Sequence, residues 1–189
     1  MNPPKDVNEA ARKQYLAECH ILDTEPEEEF DVVVRVAAKQ TNCPTVLVSL
    51  IDTDRQWFKS RVGLMVCETP IEQSFCAYAI LEDHTFVVED ATLDPRFSDN
   101  PLVTDAPHIR MYMGAQLLSA EGIAFGTLCA IDYQARKPKP EEIAALESLA
   151  QQVSKIIELR KLSIIVNQQK DELRESFKRM DELKLSLGA

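Results

Sequence analysis

The sequence predicts an α/β (α+β) domain that runs into one long C-terminal helix. Three observations carry the expectation: helical periodicity at both ends of the chain, two pairs of strand-like runs between them, and a stretch from Glu141 to Leu187 with neither Gly nor Pro. With 189 residues, 45% apolar and 28% charged, the chain has enough apolar side chains for one buried core plus an appendage. The expected division is a body over residues 1–140 and a helical connector over 141–189.

From Val7 to Leu22, the residues Ala10, Ala11, Tyr15, Leu16 and Cys19 recur at helical spacing, so a first helix is expected there. Asp23 and Thr24 end it. Thr24, followed by Pro26 and Glu27, reads as a capping box that opens a second helix running to Thr41, with Glu27, Glu28 and Glu29 at the positive end of its dipole. Phe30, Val33, Val34, Ala37 and Ala38 form its buried face. Thr45 to Ile51 is β-branched and apolar, Asp52 to Asp54 signals a turn, and Arg55 to Val62 alternates, which together predict a hairpin. Thr69 and Pro70 open a loop, Ser74 caps a short helix over Phe75 to Leu81, and Thr85 to Val88 is a third strand. The polar stretch Asp90 to Pro107 is a long loop with one helical turn, of the kind that commonly serves function. Ile109 to Leu118 and Ile123 to Ile131, joined by Ser119 to Gly122, form a second hairpin.

After Lys137-Pro138-Lys139-Pro140, a helix from Glu141 to Leu187 spans roughly 70 Å at about 1.5 Å per residue, longer than the body that carries it. Its first part, with Ile143, Leu146, Leu149, Ala150, Val153, Ile156 and Ile157, is a broad stripe suited to packing on a sheet. A narrow heptad seam follows through Leu159, Leu162, Val166, Gln169, Leu173, Ser176, Met180, Leu183 and Leu187. The step from Ile156 to Leu159 is one residue short of the spacing due, so the buried face rotates there, at the border between packing on the body and packing on another chain. In a parallel pair the flanking contacts Glu158 with Ser163, Ile165 with Lys170, Glu172 with Phe177 and Arg179 with Lys184 hold no salt bridge, so charge does not select the partner. Ile165 and Phe177 widen the seam toward further helices, such as two copies of the first helix. The expected partner is therefore a second copy of the chain, forming a coiled-coil homodimer through the terminal helices; the alternative is a single amphipathic helix folded back on its own body.

Composition narrows the function classes. The five glycines, Gly63, Gly114, Gly122, Gly126 and Gly188, fit neither phosphate-cradling glycine motif, which excludes nucleotide enzymes of those kinds. The net charge of −10, of which −9 falls in the first 139 residues, argues against a nucleic-acid partner. Cys19, Cys43, Cys67, Cys76 and Cys129 are odd in number and form no C-x-x-C pair, which reads as reduced thiols in a cytoplasmic protein without a metal centre. The polar start Met1 to Asp6 resembles no signal peptide, and the longest apolar run, Ile123 to Ile131, is far short of the roughly 20 residues of a membrane span.

The order of elements resembles the GAF domain, an α/β module with a central antiparallel sheet flanked by helices. The segments that carry the resemblance are Val48-Ser49-Leu50-Ile51-Asp52 with Arg55 to Ser60, Ser74 to Ile80, Asp94-Pro95-Arg96-Phe97, Asn100 to Val103, and Gly126 to Asp132. They are similar to bacterial GAF domains that precede diguanylate cyclases and sensor histidine kinases, over residues 16 to 160. Two positions depart from that pattern: Gln116 stands where a proline is expected, and Tyr78 where a histidine is common. The signature of cyclic-nucleotide-binding GAF domains is not recognisable. The resemblance implies a non-catalytic sensory and dimerisation module with an output domain downstream, no catalytic residue, no cofactor, and room for a small ligand of unknown identity. No cyclase motif, and no histidine on the long helix to accept a phosphoryl group, occurs in the sequence.

Candidate ligand-binding residues are Trp57, Phe75, Cys76, Arg96, Phe97, Met111 and Met113, and candidate dimer-helix residues are Leu159, Leu162, Val166, Leu173, Met180 and Leu183. Cys76 near the start of a capped helix sits where unpaired amides favour thiolate, against the plainer reading of a small packed residue. The Cys67 and Cys76 spacing is similar to that of GAF-fold free methionine sulfoxide reductases, which implies a thiol enzyme as an alternative. A ligandless dimerisation module is the third reading. Trp57 and Phe58 alternate on a strand, Arg96 lies between Asp94 and Asp99, and the methionines of Met111-Tyr112-Met113 offer a flexible wall to a ligand.

Overall fold

The computed structural model describes residues 6–187. The start of the chain up to residue 5 and the Leu187 side chain at the end of the seam lie outside what is described. The elements are α1 (Glu9–Glu18), α2 (Glu28–Thr41), β1 (Thr45–Ile51), β2 (Arg55–Val62), β3 (Glu68–Pro70), α3 (Cys76–Ala79), β4 (Phe86–Val88), α4 (Pro101–Thr104), β5 (Met111–Leu118), β6 (Ala124–Asp132) and α5 (Pro140–Leu187). Six strands form one antiparallel sheet in the order β3-β2-β1-β6-β5-β4. The two expected hairpins are thus joined edge to edge by the β1/β6 pairing, in an α+β fold with a long C-terminal helix.

The sheet is covered on both faces, which is why all seven residues of β1 are buried. On one face α1, α2 and the first part of α5 enclose Leu16, Phe30, Val34, Val48, Leu128, Leu146 and Val153. On the other, α3, α4 and the loops enclose Leu47, Phe58, Phe97, Tyr112 and Cys129. Neighbouring residues of one strand therefore feed different cores.

Several local expectations are corrected. Helix α1 ends at Glu18 rather than Leu22, because His20 and Asp23 take left-handed backbone (φ 46° and 58°) and turn Ile21 into the core. The capping box at Thr24 does not form: the Thr24 hydroxyl donates to the Ile21 carbonyl at 2.7 Å, and Glu27 is drawn away to Lys59 and Arg160. Helix α2 ends at Thr41 as expected, and Asn42 closes it in the left-handed region. Thr69 and Pro70 belong to the short edge strand β3, paired with Arg55 and Gln56 of β2. Helix α3 is shorter than expected, although the Ser74 hydroxyl does accept the Ala77 amide at 2.9 Å, a cap-like bond.

Helix α5 opens with Pro140 at its first position and Glu142 reaching back to accept the Lys139 amide at 2.8 Å. Arg136 fixes this corner, donating to Glu142 and to the Thr41 carbonyl, both at 2.8 Å. Along α5, Leu146, Ala150, Val153 and Ile157 are buried, and then the apolar face leaves the body. Leu159, Leu162, Val166, Leu173, Met180 and Leu183 are each between 45% and 66% exposed. Helix α1 packs on the same chain's α5, with the Tyr15 hydroxyl 2.8 Å from Glu158 and Lys161 paired to Glu18 at 2.9 Å. Among the described residues no helix is long and apolar enough to cross a membrane.

Candidate functional site

A cavity of about 450 Å³ lies between the sheet and the connections over 63–69 and 102–109. Its floor comes from alternate residues of four strands: Leu47 of β1, Gln56 and Phe58 of β2, Tyr112 of β5, and Cys129 and Ile131 of β6. Leu64, Met65 and Val66 form one rim, and Leu102, Pro107 and Ile109 the other. Phe75 and Cys76, brought in by α3, close one end. Gly63 turns the chain at the mouth with φ +75°, and a Cβ there would meet the Pro44 carbonyl.

A polar strip crosses this apolar floor. The Gln56 amide donates to Thr69 at 2.5 Å, and its oxygen accepts the Ser74 hydroxyl at 2.7 Å. The Tyr112 hydroxyl donates to Cys76 Sγ at 3.3 Å. It reaches that far because its ring lies over Gly114, where a Cβ would collide with it. Burial, with the neighbouring thiols, pushes the Tyr112 phenol well above its ordinary range. An apolar chamber with a few converging hydrogen-bonding groups is the usual constitution of a small-molecule site.

Of the seven sequence-based ligand candidates, the structure brings Phe75 and Cys76 to the cavity. Trp57, Met111 and Met113 are corrected: they point to the opposite face of the sheet and pack under the helices, while their neighbours Gln56, Phe58 and Tyr112 face the chamber. Both Trp57 and Phe58 are buried, since neither face of the sheet is open. Phe97 is fully buried behind the cavity, stacked on Phe75 with ring centroids 3.9 Å apart. Arg96 lies over the Phe86 ring at 4.7 Å and holds Asp94 through two bonds of 2.9 and 2.6 Å, so it braces the loop rather than lining the chamber. That pairing keeps the Asp94 carboxyl below its usual range. Cys67 is exposed and does not line the cavity.

Of the chamber residues that sequence reasoning missed, Leu47 carries no signal, while Gln56 and Tyr112 share one: a polar group buried within a strand. Ser49, Gln56, Tyr112 and Thr127 are buried strand residues with polar side chains, and all fall on this face. Gln116 belongs to the same face. Its amide donates to the carbonyls of Ile80 at 2.9 Å and Glu82 at 2.7 Å, tying down the end of α3 where a proline could offer no donor.

The family model described as the GAF domain matches residues 25–157. A Pseudomonas aeruginosa protein named a cyclic di-GMP phosphodiesterase is 43% identical over 152 residues, which is 80% of this chain and 26% of that protein. The chain thus spans about a quarter of that relative's length. Among solved structures, the GAF domain of a Coxiella burnetii phosphoenolpyruvate-protein phosphotransferase superposes with TM-score 0.62 at 14% identity, covering 82% of this chain and 98% of that one. A type II free methionine-R-sulfoxide reductase of Thermoplasma acidophilum superposes with TM-score 0.58 at 13% identity, covering 69% and 90%. At those identities the structures bear on the fold alone. The Pseudomonas relative corrects the expectation of a non-enzyme, because its name is that of an enzyme.

Proposed function

The chain belongs to the GAF domain family, and on that premise we propose that it is a sensory module that admits a small, largely apolar ligand and serves a protein of cyclic di-GMP turnover. The observation that carries this reading is the chamber of about 450 Å³, which has the size and the mixed lining of a small-molecule site. Phosphodiesterase activity of a protein containing this chain is part of the proposal and rests on the 43% identity to the Pseudomonas relative.

The signal leaves through α5. Its exposed seam from Leu159 to Leu183 supports pairing with a second copy as a coiled coil, and Arg160, one residue past the change of face, is anchored to the body. A ligand can bias this arrangement only by its differential affinity for two packings of the pair. The test is a thermal-denaturation screen of the chain against a metabolite library, repeated with Ile109→Trp, which fills the chamber from its rim. At least one compound is expected to raise the midpoint of the unmodified chain and to leave the filled variant unmoved. Compounds that shift both proteins equally, or none that shifts either, would count against a ligand in this chamber.

A further inference from the structure

Cys76 and Cys129 come from different elements, α3 and β6, yet their sulfurs lie 3.7 Å apart. Both residues line the chamber while being almost closed to bulk solvent, at 2% and 0% exposure. A small solute that enters the chamber comes up against Cys76, which keeps a trace of exposed surface, with Cys129 closed directly behind it. The Tyr112 hydroxyl donates to Cys76 Sγ, and the buried Thr127 hydroxyl lies on the same face of β6 as Cys129, beside the pair. Burial opposes ionisation of Cys76, but hydrogen bonding with the side chains of Cys129, Ser49, Thr127 and Tyr112 outweighs it and holds that thiol below its ordinary value. Its bond to Cys76, together with burial, pushes Cys129 well above.

We propose that Cys76 and Cys129 form an oxidation site on the wall of the chamber, which hydroperoxides convert to an intramolecular disulfide. In the first step Cys76 sulfur attacks one peroxide oxygen and the O–O bond breaks. The leaving hydroxide takes the thiol proton, giving a sulfenic acid and one molecule of water (or of alcohol, from an alkyl hydroperoxide). Cys129 sulfur then displaces the sulfenic hydroxyl, which leaves as water with the Cys129 proton, and the S–S bond forms. Two thiols supply the two electrons and the peroxide is reduced. Closing the sulfurs to bonding distance draws α3 toward β6 beside Phe75, so the oxidised chamber presents a different wall to a ligand. This inference stands apart from the ligand reading, because the chemistry needs only a chamber that admits peroxide.

The experiment uses the full chain carrying Cys67→Ser, which removes the exposed cysteine without touching the chamber. After treatment with hydrogen peroxide, denaturation and alkylation, intact mass and peptide mapping without reduction are recorded. The expected result is an alkylated chain carrying two alkyl groups fewer than the untreated control, with the Cys76 and Cys129 peptides joined, lighter by two hydrogens than the two free-thiol peptides together, and then released by a thiol reductant. In a Cys129→Ser version that folds by circular dichroism, a cyclic diketone probe is expected to trap the sulfenic acid at Cys76. Recovery of both residues as alkylated thiols after peroxide, or their linkage to other cysteines, would overturn the proposal.

Discussion

Phe97→Ala is expected to lower the stability of the chain by about 4 kcal/mol, which corresponds to a fall of roughly 10 °C in the thermal midpoint. The ring is fully buried and stands at the centre of an aromatic cluster, stacked on Phe75 at 3.9 Å, edge-on to Tyr78 at 5.0 Å and 6.1 Å from Phe86. It is also the anchor of the connection between β4 and β5, because its amide closes a turn on the Asp94 carbonyl at 2.9 Å. Removing the ring leaves a cavity that Phe75, Tyr78 and Phe86, held by α3 and β4, cannot collapse to fill. Arg96→Ala, in contrast, deletes a partly exposed ion pair and is expected to cost under about 1 kcal/mol. Calorimetry of the two variants separates the roles. A Phe97→Ala variant as stable as the parent would mean that the ring does not hold the loop.

Glu27→Ala is expected to cost about 3 kcal/mol, because it strands a buried cation. The Lys59 side chain is fully closed to solvent in mid-strand β2, and its ammonium donates to Glu27 at 2.5 Å, to Thr24 at 2.7 Å and to the Glu25 carbonyl at 2.7 Å. The same carboxylate receives Arg160 at 2.8 and 2.9 Å, and Arg160 also binds the carbonyls of Cys19 and His20. One acidic side chain thus ties the sheet, the turn between α1 and α2, and the exit of α5. Glu27→Gln combined with Lys59→Met removes both charges and is expected to recover most of the loss, which distinguishes a stranded charge from lost packing. Although burial opposes it, bonding to Lys59 and Arg160 holds the Glu27 carboxyl below its ordinary range. Its contribution is therefore complete above the unfolded value of about 4.3 and is lost as pH falls through the folded value, so the parent and Glu27→Gln converge in acid.

The sequence was most legible where punctuation and periodicity agreed. The first hairpin has the expected bounds, because Asp52, Thr53 and Asp54 interrupt two uniform runs, and the second shifts by two residues or fewer. Strand β3 was missed because a three-residue edge strand ending in Pro70 has no period to read. The capping box failed for a tertiary reason: Glu27 gains more from Lys59 and Arg160 than from a helix amide. The site was half legible. Alternation divides each strand into two faces, but with both faces buried nothing local says which one meets the chamber, so the expectation places Met111, Met113 and Trp57 on the wrong side. The polar residues Ser49, Tyr112 and Thr127, each between apolar or small neighbours, carry that information, with Gln56 beside them in the fold, and only pairing of the strands gathers them.

The proposed function turns on pairing through α5, since a ligand bound in a lone chain has no second body to move against. The seam supports it: six apolar side chains, each at least 45% exposed, repeat along one helix face where a solvated helix would place charges. Light scattering on the unmodified chain, eluted from a sizing column at high micromolar concentration, reads the outcome directly. The account predicts a mass twice that of the 21.3 kDa chain, falling to one chain in Leu162→Arg/Leu173→Arg with circular dichroism of the body retained. A mass of one chain for the unmodified protein at that concentration would contradict it.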